Sequence, residues 1–196
     1  MKYSINEIFY SIQGEGRWSG FPAIFIRLSG CNLDCAFCDT THKESYEMDE
    51  RDILQKVKQY PTNRVVLTGG EPLIHDLTSL LSALQREGYW VHLETNGSIL
   101  IRGHYRFAWI TVSPKKVTFE KDIVTHADEV KVLCGMPNWS VICSFVKVFS
   151  RPDAPLYVMP VYGPNLEENT KIAIDYVLKN PKWAICLQLH KILEVR

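Results

Sequence analysis

The sequence predicts an α/β fold: a partial, trimmed TIM-type barrel of about six parallel strands with about three long helices. Two observations carry this. Short apolar, β-branched strands alternate with helical segments, but the clear long helices number three, over residues 49–60, 76–86 and 165–180. That is too few to flank each strand of a complete eightfold barrel. Polar or glycine-rich tips also follow strand ends repeatedly, at residues 31–40, 69–71, 95–97 and 113–115. Ligand sites of parallel α/β folds lie at the C-terminal ends of the strands. The four tips are therefore expected to line one mouth, within a single domain over residues 1–196.

Residues 1–22 carry closely spaced glycines around Gln13 and Glu15. Glycine permits tight turns and close approach to a ligand, so this stretch reads either as a surface hairpin loop or as a polar edge able to read a heterocycle. Residues 23–29 form an apolar strand that delivers Cys31, with Arg27 inside it. A charge there is seldom left unpaired; Arg27 either bridges to a carboxylate within the core or projects into a cavity to meet an anion. The helix over 49–60 sets Ile53, Leu54, Val57 and Tyr60 on one face, with Asp49 as N-cap and Pro61 as stop. A buried strand over 64–68 closes on Gly69, Gly70, Glu71 and Pro72.

The helix over 76–86 places Leu77, Leu80, Leu81 and Leu84 together and ends at Gly88 as C-cap. Strands follow over 90–94, 109–112, 129–133 and 156–159, whereas 139–149 fits strand or helix equally. The helix over 165–180 opens with a capping box of Asn165 and Glu168, and 184–189 is a last strand.

Composition narrows the function. Hydrophobic content is 46% and formal net charge is zero, as expected of a globular chain with no nucleic-acid face. The N-terminal residues lack the apolar core of a signal peptide, and no apolar stretch approaches ~18 residues, so no membrane partner is expected. Cysteine usage fits a reducing cytoplasm: Cys134, Cys143 and Cys186 sit apart among apolar residues and read as buried free thiols.

The remaining three, Cys31, Cys35 and Cys38, stand in a C-x3-C-x2-C spacing. Iron–sulfur clusters ordinarily take four thiolates. Three leave one iron of a four-iron cluster open, which suits an enzyme whose cofactor must bind the cluster. The alternatives are a disulfide, reactive thiols, or a non-catalytic iron–sulfur or zinc module, in which Asp39 or His42 could complete the ligand set.

The cysteine spacing, with Phe37 before the last Cys, resembles the signature of the radical S-adenosylmethionine (SAM) superfamily, and Gly69, Gly70 and Glu71 resemble its second motif, which binds the amino group of SAM. Nearly the whole chain is similar to the 7-carboxy-7-deazaguanine synthase family. That likeness rests on Tyr10 to Gly16 (YSIQGEG), Arg27, the Cys38, Asp39, Thr40 closure, the ETNG run from Glu94 to Gly97, Ser113, Pro114 and Lys115, and the QLHK run from Gln188 to Lys191.

The resemblance implies a trimmed radical SAM barrel in queuosine or 7-deazapurine biosynthesis. Its substrate would be 6-carboxy-5,6,7,8-tetrahydropterin and its products 7-carboxy-7-deazaguanine and ammonia. It implies a [4Fe-4S] cluster on Cys31, Cys35 and Cys38, and SAM bound by Phe37, Gly69, Gly70, Glu71, Gly97, Ser113, Pro114 and Lys115. Ile12, Gln13, Gly14, Glu15, Arg27, Thr95 and Arg196 would meet the pterin, and Thr40 would ligate Mg2+ beside the substrate carboxylate. An electron donor such as flavodoxin and a homodimer follow from the same likeness. The runner-up is a glycyl-radical-activating enzyme, which shares the cysteine loop and acts on a protein partner, but it leaves Gln13, Glu15 and Arg27 without a role.

Overall fold

Nine strands form one sheet in the computed structural model, which describes residues 1–41, 44–101 and 106–196. In chain order they are β1 (Lys2–Ile12), β2 (Pro22–Leu28), β3 (Tyr46–Asp49), β4 (Arg64–Gly69), β5 (Trp90–Thr95), β6 (Trp109–Val112), β7 (Glu129–Cys134), β8 (Leu156–Pro160) and β9 (Trp183–Ile185). Their spatial order is β3-β1-β2-β4-β5-β6-β7-β8-β9. From β2 through β9 every neighbouring pair is parallel, and β1 runs antiparallel to both β2 and β3. The parallel run therefore counts seven strands among the described residues. His42 lies outside them.

The helices cover one face of this sheet. α1 (Glu50–Val57) and α2 (Thr78–Arg86) bury Ile53, Val57, Leu80 and Leu84 against Ile24, Ile26, Val65 and Leu67. Each such fully buried aliphatic contributes on the order of 2 kcal/mol of transfer free energy. Asp49 caps α1 as expected, its carboxylate accepting from Asp52 N at 3.0 Å. α2 begins at Thr78 rather than 76 because Asp76 turns back to accept from Thr78 N at 3.0 Å. α3 (Lys121–His126), α4 (Trp139–Phe149) and α5 (Leu166–Lys179) build the second half of the layer over β6, β7 and β8.

Four readings are resolved or revised. Residues 139–149 are helical: Ile142, Cys143 and Val146 share the buried face while Val141, Phe145 and Val148 face outward. Asn165 makes no side-chain capping bond, so the capping box with Glu168 is not formed. The last strand stops at Ile185, and the chain turns into α6 (Leu189–Ile192). The opening stretch is mostly strand: it supplies β1, which hairpins into β2 through a turn that exposes Arg17, Gly20 and Phe21, while Gln13 at its start is 4% exposed.

The sheet is open between β3 and β9, but the chain spans the gap in another way. Leu189 N donates to Gly14 O at 2.9 Å, Gly16 N to Cys186 Sγ at 3.1 Å, and Ser11 Oγ to Arg196 O at 2.5 Å. A Cβ on residue 14 would lie 1.9 Å from His190 Nδ1, so glycine is what lets α6 dock there. Beneath, Trp18 fills the N-terminal end of the strands, edge-on to Trp90 and Trp109, with the Arg64 guanidinium 4.8 Å over its ring.

Candidate active site

A strand places alternate residues on opposite faces, and here the two faces differ in kind. Val91 and Leu93, Val130 and Val132, Leu156 and Val158 pack outward under the helices. Inward stand Arg27 and Thr68, Glu94, Ser113, Lys131 and Leu133, and Met159. These line a cavity of about 430 Å³. A deeper tier holds His92, Thr111 and Glu129, each wholly buried. The barrel interior is thus a charged chamber rather than an apolar core.

Cys31, Cys35 and Cys38 reach the cavity from the loop after β2, together with Phe37 and Thr40. All three are free thiols. Cys38 N donates to Cys35 O at 3.0 Å, which folds the loop into a turn, and Leu33 N points at Cys31 Sγ at 3.4 Å. The loop rests on the end of β4. A Cβ at residue 70 would lie 2.1 Å from Gly30 O and 2.7 Å from Cys31 Cβ, so only a bare backbone permits that seat. Burial pushes the Cys35 thiol up, Lys115 draws it down, and the neighbouring Cys38 and Cys31 raise it again.

Among the described residues no three His, Cys, Asp or Glu side chains are placed to hold one metal ion. A four-iron cluster asks for something else, since each thiolate binds its own iron. Three free thiols on one loop at the rim of a chamber, with glycine backbone behind them, fit that group.

Facing the loop is a network of buried charge. Lys131, 1% exposed, donates to Glu15 Oε2 at 2.7 Å and Glu94 Oε2 at 2.8 Å. Gln188 Nε2 donates to Glu15 Oε1 at 2.9 Å, and Gln13 Nε2 to Glu94 Oε1 at 3.0 Å. Burial acts against the charges of Glu15 and Lys131, but their partners prevail: the Glu15 carboxyl is held below its usual range by Lys131 and Gln188, and the Lys131 ammonium well above its own by Glu15 and Glu94. Lys115 is shifted the other way, lowered by burial and then by Lys131, while Nζ donates to Ser113 Oγ at 2.6 Å.

Arg27 pairs with a carboxylate and also reaches the cavity. Its Nε donates to Glu7 Oε1 at 2.8 Å, and its side chain still lines the cavity. Glu7 also pairs with Arg196, which lines the same cavity and sits over the Phe9 ring. Thr40 lies at the rim with its hydroxyl 3.5 Å from Asp39 Oδ1, and Asp39 pairs in turn with Lys191.

Most of the residues marked in the sequence meet at this cavity: Ile12, Gln13, Gly14, Glu15, Arg27, the three cysteines, Phe37, Thr40, Gly69, Gly70, Thr95, Ser113, Lys115 and Arg196. Glu71, Gly97 and Pro114 do not line it. The Glu71 carboxylate is wholly buried and accepts from Thr95 Oγ1, Asn96 N and Leu73 N at 2.8, 2.7 and 3.0 Å. Its side chain braces the ends of β4 and β5, so only the two glycines of that motif face the chamber. Sequence reading missed Glu7 and Lys131, and gave Glu94, Gln188 and His190 no role of their own. The signal was present: charges two apart within apolar strands mark an inner face that is not a core.

The Radical SAM superfamily model matches residues 25–149. The chain belongs to the radical SAM superfamily, whose members use a [4Fe-4S] cluster and SAM. It is 39% identical over 196 residues to a 7-carboxy-7-deazaguanine synthase of Bacteroides thetaiotaomicron, and 32% identical over 224 residues to that of Escherichia coli (strain K12). Both alignments cover all of each chain. The crystal structure of QueE from Escherichia coli superposes with a TM-score of 0.83 at 28% identity, covering 97% of this chain and 95% of that one. Within the superfamily the chain belongs to the 7-carboxy-7-deazaguanine synthase family. The crystal structure of Streptococcus suis SuiB, at 14% identity and a TM-score of 0.55, shares the fold alone.

Proposed function

We propose that this protein converts 6-carboxy-5,6,7,8-tetrahydropterin to 7-carboxy-7-deazaguanine and ammonia in 7-deazapurine biosynthesis. One observation carries the reading: the three-thiol loop and the Arg27, Glu15, Glu94 and Lys131 groups open on the same cavity. Cys31, Cys35 and Cys38 would hold the cluster. When bound, cluster and SAM together supply a 5′-deoxyadenosyl radical able to take hydrogen from an unactivated carbon.

The residues of the chain bind, orient and exclude water. Phe37, Gly69, Gly70, Ser113 and Lys115 form the SAM side of the chamber, and Glu71, Gly97 and Pro114 shape it from behind. Ile12, Gln13, Gly14, Glu15 and Thr95 form the pterin side. Arg27 and Arg196 meet the substrate carboxylate, for which a planar guanidinium is the matching fork. Thr40 contributes a hydroxyl to Mg2+ bound beside that carboxylate. Such a fixed pose is what selective hydrogen abstraction needs. The working unit is a single domain in a homodimer, reduced by a flavodoxin-type donor in the cytoplasm.

The test is direct. Anaerobically reconstituted protein is incubated with SAM, dithionite and the carboxypterin and read by mass spectrometry. Appearance of 7-carboxy-7-deazaguanine with release of ammonia is expected. SAM cleavage without any change in the pterin would sink the assignment.

A further inference from the structure

Lys131 stands apart among the charges of the cavity, because it is the cation between two carboxylates and none of the roles above uses it. We infer that Lys131 is a positioning residue that clamps Glu15 and Glu94 as a fixed pair of acceptors facing the substrate heterocycle. The inference rests on the pterin reading.

Glu15 arrives from the loop after β1, and Glu94 from β5. Lys131 comes from β7 and reaches both at once, at 2.7 and 2.8 Å. Each of the four carboxylate oxygens thereby has one donor, from Lys131, Gln188 or Gln13. A carboxylate oxygen accepts two hydrogen bonds, so each keeps one lone pair free. The aminopyrimidinone edge of a pterin offers neighbouring N–H donors and matches such a pair. Lys131 itself cannot act as a base there, because its ammonium is tied to both partners.

Removing the ammonium would leave two like charges side by side in a largely buried network. Two carboxylates sharing a site do not both stay ionised; one takes up a proton and ceases to be a free acceptor. The other groups facing Lys131 do not replace it. Glu129 adds negative charge on its own strand, His92 on β5 is held neutral by burial, Lys115 beyond β6 is bonded to Ser113, and Cys186 and His190 on the β9–α6 side bring no fixed cation. The deficit would appear as a pH dependence of binding, not merely as lost stability.

The experiment measures the dissociation constant of 6-carboxypterin, the stable oxidised analogue, by fluorescence without reductant, from about pH 5.5 to about pH 7.5. Wild type should be flat. Lys131→Met should bind on the order of tenfold more weakly at the acid end and recover as the pH rises, whereas Lys131→Arg, which keeps the cation, should stay flat. SAM binding should be unchanged in both. If Lys131→Met fails to fold, carbon NMR of the Glu15 carboxyl in the wild type decides: a resonance static over that range supports the clamp, and one that titrates within it overturns the clamp. A flat profile in Lys131→Met alongside a wild type that binds overturns this inference alone. A wild type that ignores the pterin at every pH overturns the functional reading and the inference with it.

Discussion

Glu7 and Arg27 face each other directly across β1 and β2, and the carboxylate accepts from Arg27 Nε at 2.8 Å. In the proposed function this pair decides how the arginine would meet the substrate carboxylate. Glu7 pairs through the Nε side of the guanidinium, and Arg27 still lines the chamber. Arg27→Lys keeps a charge for Glu7 but loses the fork. Its dissociation constant for the carboxypterin should rise about tenfold or more, with melting temperature, iron content and SAM affinity close to wild type. An unfolded variant with no specific substrate defect would mean that the ion pair is structural.

Gly70 carries the seat of the cysteine loop, since any Cβ there would run into Gly30 O and Cys31 Cβ. Gly70→Ala should displace the loop from the end of β4. Reconstituted iron should fall well below the about four atoms per chain expected of a single cluster. Replacing Cys31, Cys35 or Cys38 by Ala should remove SAM cleavage altogether. Full iron content in Gly70→Ala, measured against protein concentration, would show that the loop does not depend on that contact.

Helices and parallel strands were legible where period and caps agreed, as in α1 with Asp49 and α2 with its leucine face. β1 was not, for a physical reason. A register shift between Ile5 and Glu7 puts the buried residues at Tyr3, Ile5 and Ile8, which breaks the two-residue alternation that marks a strand. Segment 139–149 is apolar nearly throughout, so periodicity could not choose, and packing on β7 did. The cysteine loop and Arg27 were readable because an unusual residue stood in a plain context. Lys131 and Glu94 were harder: a lysine or glutamate on a strand reads as solvent-facing until the closure by α6 makes that face an interior. The role of Glu71 could not be read at all, since which way its carboxylate turns depends on Thr95 and Asn96 from another strand.

His92 predicts how stability responds to acid. Its Nε2 meets Thr111 Oγ1 at 2.6 Å, and that hydroxyl gives its proton to Glu129 at 2.8 Å, so the imidazole is the donor and Nδ1 is left as a bare, unpartnered lone pair. Burial first, then Lys131 and Arg64, hold its pKa well below the ordinary 6.5. The unfolded chain therefore binds this proton where the folded chain does not. Stability is full above about pH 6.5 and is lost as the pH falls below it, by at most about 1.4 kcal/mol per pH unit from this group. Urea denaturation across that range should show the slope, and His92→Gln should flatten it. An unchanged slope in the variant would transfer the effect to another group, His190 first, whose pKa burial also lowers.

Thr40 is the last of the rim residues and carries the Mg2+ proposal. Its hydroxyl stands two residues past Cys38, next to Asp39, whose carboxylate is already engaged by Lys191 and Gln188. Burial of Asp39 opposes its ionisation, but the Lys191 and Gln188 contacts hold its pKa below the usual carboxylate value. Asp39 is therefore an occupied anion, and the Thr40 hydroxyl, which gives its proton to Asp39 Oδ1, keeps its oxygen lone pairs for a cation. Mg2+ keeps several waters and accepts few protein ligands when substrate oxygens complete its shell, so one hydroxyl suffices if the pterin carboxylate supplies the rest. Wild-type turnover should then rise with added Mg2+. Thr40→Val, close in shape but without the oxygen, should blunt that response by about tenfold or more in the Mg2+ needed for half-effect, while iron content and SAM binding stay normal. If Thr40→Val keeps the full Mg2+ dependence, the hydroxyl is not a ligand and serves only to close the cysteine loop against Asp39.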